Sequence, residues 1–145
     1  HHYGPPLIVV DFGTATTFCF IDETGTYRGG VIAPGVMVAM EALVQNAAKL
    51  PKVELVPPPD VVGKNTVEAL QSGLFYGYLS LVEGMIERLK RRFSVPPTVV
   101  ATGGLAEPFA RSTKRIDVYD PQLTLKGLKR IYDLNAASSP PEGSA

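Results

Sequence analysis

Between Leu7 and Ile32 the chain sets out three apolar, β-branched or aromatic runs, joined by connections too short to hold a crossover. Leu7 to Asp11 reads as a buried strand that stops at the turn Asp11-Phe12-Gly13-Thr14, and Thr16 to Ile21 reads as a second strand. Tyr27 to Ile32 is a third, interrupted by Gly29-Gly30. Asp22-Glu23-Thr24-Gly25 supplies the polar, glycine-containing hairpin connection. Strands joined so tightly pair antiparallel, because a parallel return needs a dozen or more residues. The segment therefore reads as an antiparallel three-strand meander, ended by Pro34-Gly35.

Helical patterns follow. Val36 to Leu50 places Met37, Met40, Leu43, Val44 and Ala47 on one face, with Pro51 as its stop. Lys52 to Val62 carries three consecutive prolines and reads as an extended connector. Asn65 or Thr66 then caps a long helix; with Asn65 as N-cap, Glu68 falls where a capping box needs it. The periodicity runs through Leu70, Leu74, Leu81, Met85 and Leu89 to Lys90-Arg91-Arg92, cations favoured at a helix C-terminus and read as a solvated end rather than an anion site. Gly73, Gly77 and Gly84 line one side of this helix, with Ser80 between them, and that side is expected against a neighbouring helix of a second subunit; the alternative is packing on the chain's own sheet. Beyond Pro96-Pro97 come a strand from Thr98 to Ala101, the turn Thr102-Gly103-Gly104, a short helix from Leu105 and a strand from Ile116 to Tyr119. Asp120 as N-cap and Pro121 at the first position open a last helix to about Leu134, and residues 136–145 read as a disordered Ser/Pro/Gly-rich tail. Residues 1–135 form the folded unit.

Composition removes several function classes. Lys+Arg and Asp+Glu are equal at 14 each, a balance that argues against a nucleic-acid binder or a polybasic membrane-surface protein. One cysteine excludes a disulfide framework and a cysteine-rich zinc site. No apolar run approaches the roughly 20 residues of a membrane span. The chain reads as soluble and cytosolic; the lack of a signal segment carries little weight where no Met opens the sequence. His1-His2 reads equally as a tag stub or a natural end, and neither has a spaced partner for a metal.

Two glycine turns follow strands and carry the chemical interest. In Asp11-Phe12-Gly13-Thr14-Ala15-Thr16-Thr17 a strand-ending carboxylate precedes a glycine and small hydroxylic residues, a pattern that holds a cation and admits phosphate oxygens to backbone N–H groups. A plain structural turn explains it equally well. Gly103 and Gly104 offer a second close-approach point, and they too are ambiguous alone. Gly29-Gly30 reads either as backbone approaching a substrate or as a β-bulge. Cys19, between Phe18 and Phe20, reads as a small buried hydrophobe.

Taken in order, the motifs are more specific. The stretch from Asp11 to Phe18, then Gly29-Gly30-Val31-Ile32-Ala33-Pro34-Gly35, resembles the type III pantothenate kinases. Ala48-Lys49-Leu50-Pro51, Val62-Gly63-Lys64-Asn65-Thr66, Ser72-Gly73-Leu74-Phe75-Tyr76-Gly77 and Thr102-Gly103-Gly104 continue the match, as does the run from Asp120 to Leu128. The resemblance covers roughly Tyr3 to Asn135. It implies an α/β fold, a ribonuclease-H-like lobe of the actin-like phosphotransferase superfamily, in which the three-strand meander and further strands are packed by helices. It also implies that Asp11 binds a monovalent cation, K⁺ or NH₄⁺, that Thr14 contacts ATP with Gly13, Gly103 and Gly104 around the nucleotide, and that Thr66 contacts pantothenate. The cap and turn roles of Thr66 and Thr14 stand beside those readings.

The reaction so implied moves the γ-phosphoryl of ATP, with Mg²⁺, to the primary hydroxyl of pantothenate, the first step toward coenzyme A, in a cytoplasmic homodimer. The sequence departs from the family in lacking its first phosphate loop and the Gly-x-Asp-Arg motif whose Asp accepts the proton. The chain accordingly reads as the second lobe alone, with the N-terminal lobe absent, no catalytic residue of its own and no expected activity. The rival readings are a non-catalytic relative acting in transcriptional regulation and an actin-like nucleotide-binding lobe with another substrate.

Overall fold

The computed structural model of the chain describes residues 2–138. A single five-stranded sheet runs in the order β3-β2-β1-β4-β5, with β1 Leu7–Phe12, β2 Ala15–Ile21, β3 Tyr27–Pro34, β4 Thr98–Thr102 and β5 Val118–Tyr119. The meander is present as read: β1 pairs antiparallel with β2, and β2 with β3. β4 and β5 extend the sheet by parallel pairing on the other side of β1. The helices are α1 Val36–Asn46, α2 Thr66–Ser72, α3 Tyr78–Lys90, α4 Ala106–Arg111 and α5 Leu123–Ser138. None of the described helices is long and apolar enough to cross a membrane.

Alternation in β1 decides which face is the core. Ile8, Val10 and Phe12 are buried and join Phe18, Val99 and Ala101 under α1, α3 and α4. Leu7, Val9 and Asp11 point the opposite way, as period-two geometry requires. Four rings meet at Phe109 of α4: Phe12 and Phe75 stack on it at centroid distances of 5.5 and 5.0 Å, and Tyr78 meets it edge-on at 5.2 Å. Burial drives the Tyr78 phenol up to about 12.

Several boundaries differ from the sequence reading. α1 ends at Asn46, not Leu50, because the Asn46 side-chain amide donates to the carbonyl of Ala42 and Ala47 turns to an extended backbone. The long helix is interrupted: Gly73–Gly77 form a π turn between α2 and α3. Glycines bound that turn at both ends, where helical propensity is weakest, and the Ser72 hydroxyl leaves its helix to donate to the carbonyl of Val61. Asn65 is the N-cap, accepting from the Glu68 N–H at 2.9 Å, but the Glu68 carboxylate returns to the N–H of Lys64 rather than to the cap. β5 is only two residues long, since the Asp117 carboxylate accepts the Val99 N–H at 2.8 Å where a ladder bond would form. The last helix is regular from Leu123, and it continues to Ser138 through residues 136–138 of the expected tail. The remainder of that tail, and His1, lie outside the described residues.

Asp120 ties three segments together. Its carboxylate accepts from the Tyr3 hydroxyl at 2.6 Å, the Lys126 ammonium at 2.8 Å and the Gln122 N–H at 3.0 Å, while its own N–H donates to Ala101. The bonds from Lys126 and Tyr3 hold this carboxyl below its ordinary range. Its contribution to stability is therefore present above the unfolded value of about 3.9 and is lost as pH falls through the lower folded value. Asp120→Asn should lower the melting temperature at pH 6 and flatten its fall between pH 5 and pH 2, read by circular dichroism. A parallel fall in both proteins would show that Asp120 is not linked to folding.

The glycine side of the long helix does not face its own sheet. A Cβ built at Gly73, Gly77 or Gly84 meets nothing within 4 Å, whereas Phe75, Tyr78, Val82 and Ile86 of the same elements enter the core. That removes the alternative of packing on the chain's own sheet. Gly77→Leu should raise the melting temperature of the monomeric 145-residue chain, by a gain of about 0.5–1 kcal/mol in helical propensity. A fall instead would mean that the side chain meets an obstacle.

Candidate functional site

The parallel pair β1 and β4 ends at one edge of the sheet, with Asp11 opposite Thr102. Ligands of open α/β sheets gather beyond the carboxyl ends of such strands, where two loops diverge. Here the two loops converge instead on one carboxylate. Gly103, at φ +102, brings its backbone so close that a Cβ there would lie 2.6 Å from Asp11 Oδ1 and 2.6 Å from the carbonyl oxygen of Phe12. A Cβ at Gly13 would stand 3.9 Å from the same Oδ1. The arrangement is a cradle of backbone around a single charged oxygen, shaped by the absence of side chains.

The loop between β1 and β2 is held by its backbone. The Gly13 N–H donates to Ala15 at 3.1 Å, and the Thr14 carbonyl accepts the Gly35 N–H at 2.9 Å. The Thr14 hydroxyl is therefore not what stabilises the turn; Thr14 is exposed and its hydroxyl takes no bond from the described residues. Gly35 is the residue the sequence reading treated only as a stop. Its Cβ would lie 2.1 Å from the Thr14 carbonyl oxygen, so no other residue lets the start of α1 approach this loop. The signal for it was a glycine preceding a helix that has no Ser, Thr, Asp or Asn at its N-cap. One residue past the loop, the buried Thr16 hydroxyl has no partner among the described residues.

Gly104 differs from Gly103. It is exposed, with nothing within 4 Å of a built Cβ, and the following Leu105 N–H donates to Phe12 at 3.4 Å, closing the turn onto β1. Asp11, Gly13, Thr14 and Gly103 are thus brought together, with Gly104 at the open rim. Thr66 is not among these close approaches. It occupies the first position of α2, exposed, and because Asn65 supplies the cap its hydroxyl has no capping role. Gly29-Gly30 finds a structural explanation: the β2–β3 register slips beside Gly29, at φ +121, and a Cβ at Gly30 would lie 2.1 Å from the Phe18 carbonyl oxygen.

The electrostatics are spare. No group of three or more His, Cys, Asp or Glu that could hold a metal occurs among the described residues. A single carboxylate edged by backbone suits a weakly demanding monovalent cation better than a divalent one. The charge of Asp11 is felt along its face, since the Cys19 thiol, which faces the same way, is pushed up by burial first and by Asp11 second.

Comparison with known proteins gives these features a setting. The family model described as Type III pantothenate kinase matches residues 1–88. A protein named Type III pantothenate kinase from Geobacillus sp. (strain WCH70) is 56% identical over 135 residues, covering 93% of this chain and 52% of that protein. One of the same name from Brevibacillus brevis is 57% identical, covering 93% of this chain and 53% of its own length. The chain spans about half the length of these relatives. Among solved structures, one described as a Baf family transcriptional activator from Campylobacter jejuni aligns with a TM-score of 0.65 at 26% identity, over 90% of this chain and 58% of that one.

The cradle makes a paired prediction. Gly103→Ala should cost at least about 2 kcal/mol in urea unfolding, from a strained φ and a clash with backbone that cannot retreat. Gly104→Ala should be near neutral. Equal costs for the two would mean that the close approach at Gly103 is not a constraint.

Proposed function

The chain belongs to the type III pantothenate kinase family, and on that premise we propose that it is the cation- and nucleotide-contacting half of an ATP-dependent pantothenate kinase. The observation that carries the reading is the convergence of the Gly13-Thr14 loop and the Gly103 turn on Asp11. In this reading the fold is a ribonuclease-H-like, actin-like lobe, a reading supported by the strand order β3-β2-β1-β4-β5. Asp11 holds K⁺ or NH₄⁺ in the backbone cradle, adding fixed positive charge beside the phosphates. Thr14 contacts ATP with its solvent-facing hydroxyl, and Gly13, Gly103 and Gly104 admit the nucleotide to backbone N–H groups. Mg²⁺ is carried on the phosphates rather than by a protein cluster, as such sites commonly allow. Thr66 contacts pantothenate, its hydroxyl being free of capping.

The proton acceptor and the first phosphate loop are assigned to the half of the relatives' polypeptide that these residues do not match. The folded unit ends near residue 135, the working protein is a cytoplasmic homodimer, and the open glycine side of the long helix is its subunit contact. A second reading, a non-catalytic regulator, draws on the likeness to the Baf family structure.

The test joins this chain to the amino-terminal half of the Brevibacillus brevis relative. The joined protein should form ADP in the presence of pantothenate, and the 145-residue chain alone should form none, since loss of a general base removes about 10²–10⁴ in rate. Asp11→Asn in the joined protein should weaken activation by K⁺ and leave the melting temperature unchanged. A folded joined protein without pantothenate-dependent turnover would favour the regulator. An unchanged K⁺ titration would make Asp11 structural.

A further inference from the structure

The core lies entirely on one face of the sheet. Ile8, Val10, Phe12, Phe18, Val99 and Ala101 all point into it, and α1, α3 and α4 cover that side. The opposite face carries Leu7, Val9, Cys19 and Ile21, all half-buried, and Ile32, which is 79% exposed. α5 stands on this second side without closing it. A cavity of about 770 Å³ separates them, with Val9 of β1 on one wall and Leu123, Gly127 and Ile131 of α5 on the other. The helix is fastened at its first turn by Lys126 to Asp120, and further along Leu125, Leu128, Ile131 and Tyr132 are each at least 58% exposed.

Two physical arguments say that this surface is not finished. Parallel strands such as β1, β4 and β5 belong to sheets covered on both faces. A continuous apolar surface of sheet and helix exposed together marks an interface rather than an outer wall. We propose that the second face of the sheet and the apolar side of α5 together form the docking surface for a helical segment from the half of the relatives' polypeptide that this chain does not match. The occupant follows from proportion: the matched residues make up 52–53% of each relative, so about as much chain again accompanies every copy of this face. A helix is the element that covers a sheet in α/β folds, and it would fill the gap between β1 and α5. The inference rests on the two-lobe reading above, and it names the surface by which the second half attaches.

Cys19 is the sole cysteine of the chain and sits on this face, so its alkylation rate reports whether the face is covered. Rates would be compared at pH 8.5, by mass spectrometry of the Cys19 peptide, in the 145-residue chain and in the joined protein, both kept monomeric by dilution. Cys19 should react at least tenfold more slowly in the joined protein, while a thiol introduced by Lys114→Cys should react equally in both. Leu128→Asp with Ile131→Asp should leave the melt of the 145-residue chain unchanged and restore fast Cys19 labelling in the joined protein. Equal Cys19 rates would overturn the proposal. So would protection that arises in the 145-residue chain alone as its concentration rises, which would make a second copy the occupant. If the joined protein does not fold, the two halves mixed in trans are read by the same label and the same criterion. Pantothenate-dependent turnover is measured in parallel: a protected Cys19 without turnover removes the kinase reading and keeps the docking surface, and turnover with an open Cys19 does the reverse.

Discussion

Strand β1 is hydrogen-bonded on both sides, antiparallel to β2 and parallel to β4, and the rest of the molecule is arranged around that choice. The antiparallel side needs only a short loop, so Gly13 and Thr14 stay within reach of the strand they leave. The parallel side brings in a strand from far along the sequence, so the turn after Thr102 arrives at the same edge. A carboxylate at the second-last residue of β1 is then met from two directions by backbone. Had Asp11 fallen one position either way, alternation would have put it in the core, where an unpaired charge is untenable.

The meander and the glycine turns were legible because they are local: period two, short connections and turn residues identify each strand without reference to its neighbours. The Asn65 cap was legible for the same reason. The early end of α1 was not, since it depends on the Asn46 side chain turning back on Ala42 rather than on the proline four residues later. Nor was the π turn, which answers to Ser72 and to the packing of Phe75 against Phe109 rather than to the hydrophobic period. The site was half visible. Asp11, Thr14 and Gly103 stood out as residue types, but that Gly103 nearly touches Asp11, and that Gly35 pins Thr14, follows from positions in space no spacing encodes.

The two surfaces of the long helix and of the sheet show the same limit from another side. A glycine row reads identically in sequence whether it faces a core, a partner or water; only the empty space around Gly73, Gly77 and Gly84 separates these. Likewise β1 is apolar on both faces, a pattern shared by buried parallel strands, and only the placement of the helices reveals that one face lacks its cover.

The ring cluster at Phe109 has a consequence for observing this molecule. Phe12, the residue before Gly13, stacks on Phe109, and Phe75 of the π turn lies nearly parallel to it as well, with interplanar angles of 7° and 18°. The protons of Phe109 therefore sit in the shielding cones of two neighbours, one of them attached directly to the loop that carries Thr14. Any displacement of that loop tilts the Phe12 ring and changes the magnetic shielding at Phe109, giving the molecule a built-in nuclear-resonance gauge of its own loop, with no label attached.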